Sequence, residues 1–158
     1  MGRCNATKKL NRRKTMISNY LKVAVVASAV VVSGSTLAAG NLARKCIELP
    51  ELVFGVDEAG FAVSESEYNI ETGKCYSLEI KSTGKQEYAV EGEGFFRNMW
   101  FRKIEAGGME IKATHFVELE FEDEAEAELY FVPIVAGSYD LVAGGLEHKG
   151  TKTTFNVK

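Results

Sequence analysis

Apolar and polar residues alternate with period two through much of the chain after residue 40, and stretches with helical period are absent there. Residues 75–81 put Tyr76, Leu78 and Ile80 on one face, and residues 116–122 do the same with Val117, Leu119 and Phe121. Residues 125–132 return with Ala127, Leu129 and Phe131 inward, and Pro133, which has no backbone donor, closes that strand. Residues 139–143 and 151–157 predict two more strands, and shorter ones are expected around 46–54, 61–63 and 87–90. The segment 95–113 holds two further runs about a turn at Ala106-Gly107-Gly108. Strand-length runs every eight to twelve residues or so, punctuated by glycine, predict an all-β sandwich or barrel.

The N-terminal stretch follows a different pattern. Residues 1–22 are basic, residues 23–32 form a ten-residue apolar core, Ser33-Gly34-Ser35 breaks it, and Thr36-Leu37-Ala38-Ala39 supplies small residues at a cleavage site. That order predicts a secretory signal over 1–39, cut after Ala38 or Ala39, with Met16 as an alternative start and residues 40–158 as the mature domain. The apolar core falls short of the ~20 residues of a membrane span, so no span is expected after cleavage. The charge is uneven in the same way. Of the 19 Lys and Arg, seven lie in 1–39 with no acid, so residues 40–158 carry 12 basic against 22 acidic residues, a net of −10. Such a body lacks the clustered cations that nucleic acid requires.

An exported protein meets an oxidising compartment, periplasmic or secreted, where the even pair Cys46 and Cys75 reads as a disulfide; two free thiols or a weak metal pair without a CxxC are the alternatives. The period-two pattern turns Ile47, Leu49, Tyr76 and Leu78 inward and sets both cysteines on the outer face. Cross-linking a loop of this length stabilises a fold by about 3–4 kcal/mol in the chain-entropy account.

Three groups of side chains are candidates for chemistry. His148, beside Glu147 in a glycine-rich loop, is either a solvated imidazole or a ligand for Cu(II) or Zn(II). Met99, Trp100, Met109 and His115 fall within 17 residues; they either fill the core or offer thioether and imidazole to Cu(I), with Met109 and His115 sharing a face if a strand runs on to residue 113. Glu118, Glu120, Glu122, Glu126 and Glu128, with Asp123 and Glu124 between, form a one-sided acidic stripe on an expected hairpin. It gathers hard cations, steers a basic periplasmic partner protein, or is a solvated face that blocks edge pairing. There is no GxSxG, HExxH, P-loop or DxDxDG, and no catalytic set is expected.

The run Tyr76-Ser77-Leu78-Glu79-Ile80, the pairs Thr83-Gly84 and Glu87-Tyr88, the run Phe95-Phe96-Arg97, then Glu128–Pro133 and Pro133/Gly137/Tyr139, resemble a bacterial cupredoxin-like domain. The resemblance implies a Greek-key sandwich of seven to nine strands whose first and third strands are neighbours, which would bring Cys46 and Cys75 together. It also implies a copper pole whose ligand positions here are Gln86, Ala143, the loop with Glu147 and His148, and Thr151. Without a thiolate at Ala143 the expectation is a degenerate site with no type 1 blue copper, leaving copper binding or delivery through His148, His115, Met109 or Glu147, or a metal-free interaction module.

Overall fold

The computed structural model describes residues 45–158, which form eleven strands, one short helix and a single 3-10 turn. The leader expected over 1–39, its cleavage point and Cys4 lie outside the described residues. Among those residues no helix is long and apolar enough to cross a membrane.

The alternating segments build two sheets. In the first, β1 (Ile47–Glu48) and β2 (Leu52–Phe54) both run parallel to β4 (Tyr76–Thr83). Ile47 opposes Tyr76 while Leu52 opposes Ile80, so the register slips by one residue between them. The slip brackets Pro50, which cannot donate to a ladder, and the two short strands are one expected strand (46–54) broken there. On its other side β4 pairs antiparallel with β9 (Glu124–Pro133), β9 with β6 (Met99–Ala106), and β6 with β7 (Met109–Ile111) at the edge. Gly107 and Gly108, at φ 55° and 77°, make the tight β6–β7 turn, which needs two left-handed residues. The second sheet runs β3 (Glu67–Ile70), β11 (Lys152–Val157), β10 (Gly137–Ala143), β5 (Tyr88–Glu91) and β8 (Glu118–Phe121).

Between the sheets lie Leu78, Ile80, Ile104, Leu129 and Phe131 from one side and Tyr88, Val90, Leu141 and Phe155 from the other, all buried. Helix α1 (Glu93–Asn98) inserts Phe95, whose ring centroid is 5.4 Å from that of Phe131 and 4.6 Å from that of Phe155. One aromatic side chain thus touches both sheets, and burying such a ring is worth about 1.5–3 kcal/mol before the aromatic geometry is added.

Several expectations are corrected. The all-β, two-sheet sandwich is as expected, but the described residues form eleven strands where seven to nine were expected, partly because Pro50 divides the first. Strand β3 was not expected; its four residues show only two inward apolar positions, Tyr68 and Ile70. The helix was not expected either, because six residues are too few to show a 3.6 period and the adjacent Phe95-Phe96 reads as strand. Strand β8 begins at Glu118, leaving Val117, expected inward, 67% exposed. Cys46 and Cys75 do form a disulfide, with Cα atoms 4.4 Å apart, and Ile47 N–H to Cys75 O (2.8 Å) and Leu49 N–H to Ser77 O (2.9 Å) align the two segments. Their surroundings differ from the expected outer-face placement: Cys75 is buried, and Ile47, expected inward, is 48% exposed at the sheet edge.

Two stability measurements follow. The Thr153 hydroxyl is buried in the core without a hydrogen-bond partner, so Thr153→Val, which keeps the shape, is expected to raise the unfolding free energy by about 1 kcal/mol. In urea the midpoint should rise at constant slope; a fall means that the hydroxyl is satisfied. Cys46→Ser with Cys75→Ser is expected to cost about 3–4 kcal/mol in the same assay.

Candidate metal centre and the acidic faces

The end of the sandwich where β4 leads into β5 and β10 leads into β11 is organised around the loop 55–62, which lies between Phe54 and its bridge partner Val63. Its turn is built locally. The Asp57 carboxylate accepts from the backbone N–H of Phe61 (2.6 Å) and of Ala62 (2.7 Å), and the Ala62 bond leads the causes that hold its pKa below the usual carboxylate value. The following carbonyls point at side chains from both sheets. Ala59 O accepts from Gln86 Nε2 (3.2 Å), Gly60 O from the Tyr88 hydroxyl (2.8 Å), and Phe61 O from Thr151 Oγ1 (2.7 Å). Lys85 Nζ adds bonds to Gly55 O (3.1 Å) and Asp57 O (2.6 Å). Gly60 is required here: its φ is +81°, and a Cβ would meet Lys85 Cβ at 2.9 Å and Gln86 Cγ at 3.0 Å.

The ligand positions implied by the resemblance fall at this end, and their chemistry does not fit type 1 copper. Ala143 has only a methyl group, is fully buried, and donates its N–H to Thr151 O (3.0 Å). Gln86 and Thr151 each donate one hydrogen bond to the loop and carry neither thiol nor imidazole. Among the described residues no thiolate is available to the pole, since Cys46 and Cys75 are bonded to each other, and the thiolate is the strong ligand of such a site. His148 and Glu147 lie in the exposed 3-10 turn Glu147–Lys149 between β10 and β11. His115 is exposed in the segment joining β7 to β8. Because β8 and β10 both run antiparallel to β5, with Glu118 opposite Glu91 and Ala143 opposite Val90, the chain carrying His115 and the chain carrying His148 leave opposite ends of β5. Met109 is 63% exposed; β7 stops at Ile111, so the strand that would have put Met109 and His115 on one face is not formed. Met99 is in the core, but Trp100 is half exposed on the outer face of β6. Among the described residues, no three His, Cys, Asp or Glu side chains gather in a metal-binding arrangement.

The acidic stripe is also corrected. Strands β8 and β9 do not pair: β8 lies in the second sheet against β5, and β9 in the first between β4 and β6. Glu118 and Glu120 therefore face out from one sheet, and Glu126 and Glu128 from the other, with Glu122 in the crossing between them. Each half joins acids that the sequence did not mark. On the second sheet Glu118 opposes Glu91, and Glu120 is held protonated to higher pH by its hydrogen bond with Glu87 and then by the charge of Glu118. On the first sheet Glu79 opposes Glu128, Glu128 opposes Glu105, and Glu105 opposes Glu110, a row of four carboxylates across four strands. These four and Glu126 line a groove of about 420 Å³ with Ala106, Gly107, Gly108 and Met109. Lys81 pairs with Glu79 (3.2 Å) and Glu51 (2.8 Å), and Lys103 with Glu105 and Glu110. Glu110 titrates below its usual range, held first by Lys112 and then by Lys103. Tyr130, beside the row, has its hydroxyl pushed up to about 12 by burial and then by its bond with Glu128. The row was hidden in the sequence because it depends on register between strands far apart in the chain. The Asp57 turn left a fainter signal, Gly55 and Gly60 flanking an aspartate.

No protein-family model matches the chain, and no curated protein matches it significantly. Solved structures do. A multi-copper oxidase from Pediococcus acidilactici aligns with a TM-score of 0.54 at 7% identity, over 73% of this chain and 27% of its own. One from Pseudomonas thermotolerans aligns with a TM-score of 0.52 at 14% identity, over 72% and 30%. A multicopper oxidase from Campylobacter jejuni gives 0.50 at 12% identity, over 72% and 30%. The chain thus matches less than a third of the length of each oxidase, and at these identities what is shared is the fold.

The carboxylates predict two pH effects of opposite sign. Asp57 has a folded-state pKa below its ordinary 3.8, so it contributes stability above that value which is lost as pH falls through the lowered pKa. Asp57→Ala should therefore be destabilised at neutral pH, with the gap to the parent closing in acid. Glu120 has a raised pKa, so its cost is absent below the ordinary 4.5 and sets in as pH rises. Glu120→Gln should match the parent in acid and exceed it near neutrality. Denaturant midpoints measured across pH check both, and gaps independent of pH contradict both.

Proposed function

We propose that this cupredoxin-like β-sandwich is an exported, metal-free interaction module that docks a basic protein partner on the outer face of its six-stranded sheet. The row Glu79–Glu128–Glu105–Glu110 carries this reading. Directly opposed like charges destabilise a sheet, and here Lys81 and Lys103 relieve them from the sides. A cationic partner would relieve them further, and a concave acidic surface concentrates the potential that draws it in. Trp100, the one tryptophan of the chain, lies half exposed on the same face opposite Val132, and an aromatic beside a charged field is the usual anchor of a protein interface. The Cys46–Cys75 bond supports an oxidising compartment, periplasmic or secreted. Oxidase activity belongs to the much longer proteins that share the fold, and no catalytic role is assigned to this chain. The competing reading, copper binding or delivery, rests on His148 with Glu147, an exposed pair whose imidazole suits Cu(II) or Zn(II).

Trp100 makes the test direct. Titration with a decalysine peptide should change its emission saturably and less so as salt is raised. Glu126→Lys with Glu128→Lys should weaken binding about tenfold or more, while Glu118→Lys with Glu120→Lys, on the other sheet, should leave it within about twofold. Equal losses in the two double variants mean that net charge alone is being read, and the docking face is then wrong. Electron paramagnetic resonance of the Cu(II)-titrated protein decides the competing reading: a nitrogen-coordinated signal abolished by His148→Ala would favour metal.

A further inference from the structure

We propose that the backbone of Ala59, Gly60 and Phe61 is a built-in plug that occupies the sandwich pole in place of an ion, held shut by the side chains at two of the ligand positions. Three consecutive carbonyl oxygens are each bound by a different side chain: Gln86, at 3.2 Å, and Tyr88, at 2.8 Å, from the β4–β5 connection and β5, and Thr151, at 2.7 Å, from the approach to β11. The Tyr88 bond is buried and so forms away from competing water, the Thr151 bond is partly buried, and the Gln86 bond is exposed. The loop turns onto its partners through Asp57, whose carboxylate takes the Phe61 and Ala62 amides, and fits only because Gly60 has no side chain. The turn after β10 joins the closure as well, with the Lys149 ammonium 5.4 Å from the Phe61 ring centre. Ala143 is fully buried at this same pole, its N–H bonded to Thr151 O. Gln86 and Thr151, at two of the ligand positions, therefore grip main chain. This inference rests on the metal-free reading of the pole and is independent of the docking face.

The thiol introduced by Ala143→Cys keeps all three plug bonds and reports on closure. In the full chain, with Cys4→Ser throughout, that thiol should resist a disulfide reagent such as dithionitrobenzoate and give no intense Cu(II) absorption near ~600 nm. Adding Tyr88→Phe and Thr151→Val, which remove two of the three bonds, should raise the labelling rate tenfold or more. Equal rates with and without those two changes would overturn the plug. Amide exchange supplies a second arm that does not depend on how the introduced thiol is tolerated. Tyr88→Phe or Thr151→Val alone should speed exchange at Gly60, Phe61 and Ala62 about fivefold, the loss of one hydrogen bond, and leave β9 unchanged. Exchange unaltered in the loop, or raised equally in β9, also refutes it. Decalysine binding should be unchanged in all these variants, so failure of the plug and failure of the docking face are read separately.

Discussion

Strand β9 cannot slip by one residue, and the rest of the domain is arranged around that restriction. It is the longest strand, ten residues, and is paired on both sides, with β4 and with β6. Ala127, Leu129 and Phe131 point into the core while Glu126, Glu128 and Tyr130 point out. A shift of one position would bury two carboxylates and expose a leucine and a phenylalanine, a penalty far larger than the pairing energy of any single rung. The register that avoids this also fixes Glu128 between Glu79 and Glu105, so the charged row on the surface is a by-product of packing beneath it. It places Phe131 where Phe95 can reach it as well, and through Phe95 ties the first sheet to Phe155 of the second.

The same alignment positions the pole. Once β4 is set against β9, the turn after Thr83 delivers Lys85, Gln86 and Tyr88 to the loop 55–62, which is anchored on β2, itself paired to β4. Thr151 reaches the loop from the second sheet. The loop is therefore a tie between the layers, made of hydrogen bonds, at the end away from the aromatic tie made by Phe95. Its buried bond from Tyr88 satisfies the Gly60 oxygen, and leaving such a buried group unmade costs more than making it gains.

How much of this was legible in the sequence depended on range. Features carried by period two within one segment were readable: the faces of β4 and β9, the stop at Pro133, the glycine turn at 107–108 and the all-β architecture. The disulfide followed from the cysteine count and the leader expected over 1–39, because two thiols leave few choices. What depended on pairing between distant segments was not readable. The acidic run from Glu118 to Glu128 looks like one hairpin because a turn of charged residues between two alternating runs normally makes one. Here the turn is a crossing between sheets, and nothing local separates the two cases. The carboxylate row is assembled from residues 79, 105, 110 and 128, and the loop bonds from residues 57–62, 86, 88 and 151, so neither exists in any sequence window. At the positions that the resemblance assigns to ligands, Gln86, Ala143 and Thr151, the absence of thiol and imidazole was legible; the bonds that Gln86 and Thr151 make to the loop 55–62 were not.

These observations explain how a sandwich of this kind tolerates such a pole. The described domain is held together by its own side chains. Phe95, Phe131 and Phe155 join the layers from within, the Cys46–Cys75 bond pins the start of β1 to the start of β4, and the ladders of β9 run along the middle of the larger sheet. With cohesion supplied there, the side chains at the end of the sandwich are free to differ in chemistry without loss of the architecture, which is why sharing a fold with copper oxidases says little about what this pole binds. Tyr88 shows the division of labour within a single residue: its ring packs in the core 5.7 Å from the ring centroid of Phe54, and its hydroxyl closes the loop on Gly60. The ring belongs to the part of the structure that must persist, and the hydroxyl to the part that can be reassigned.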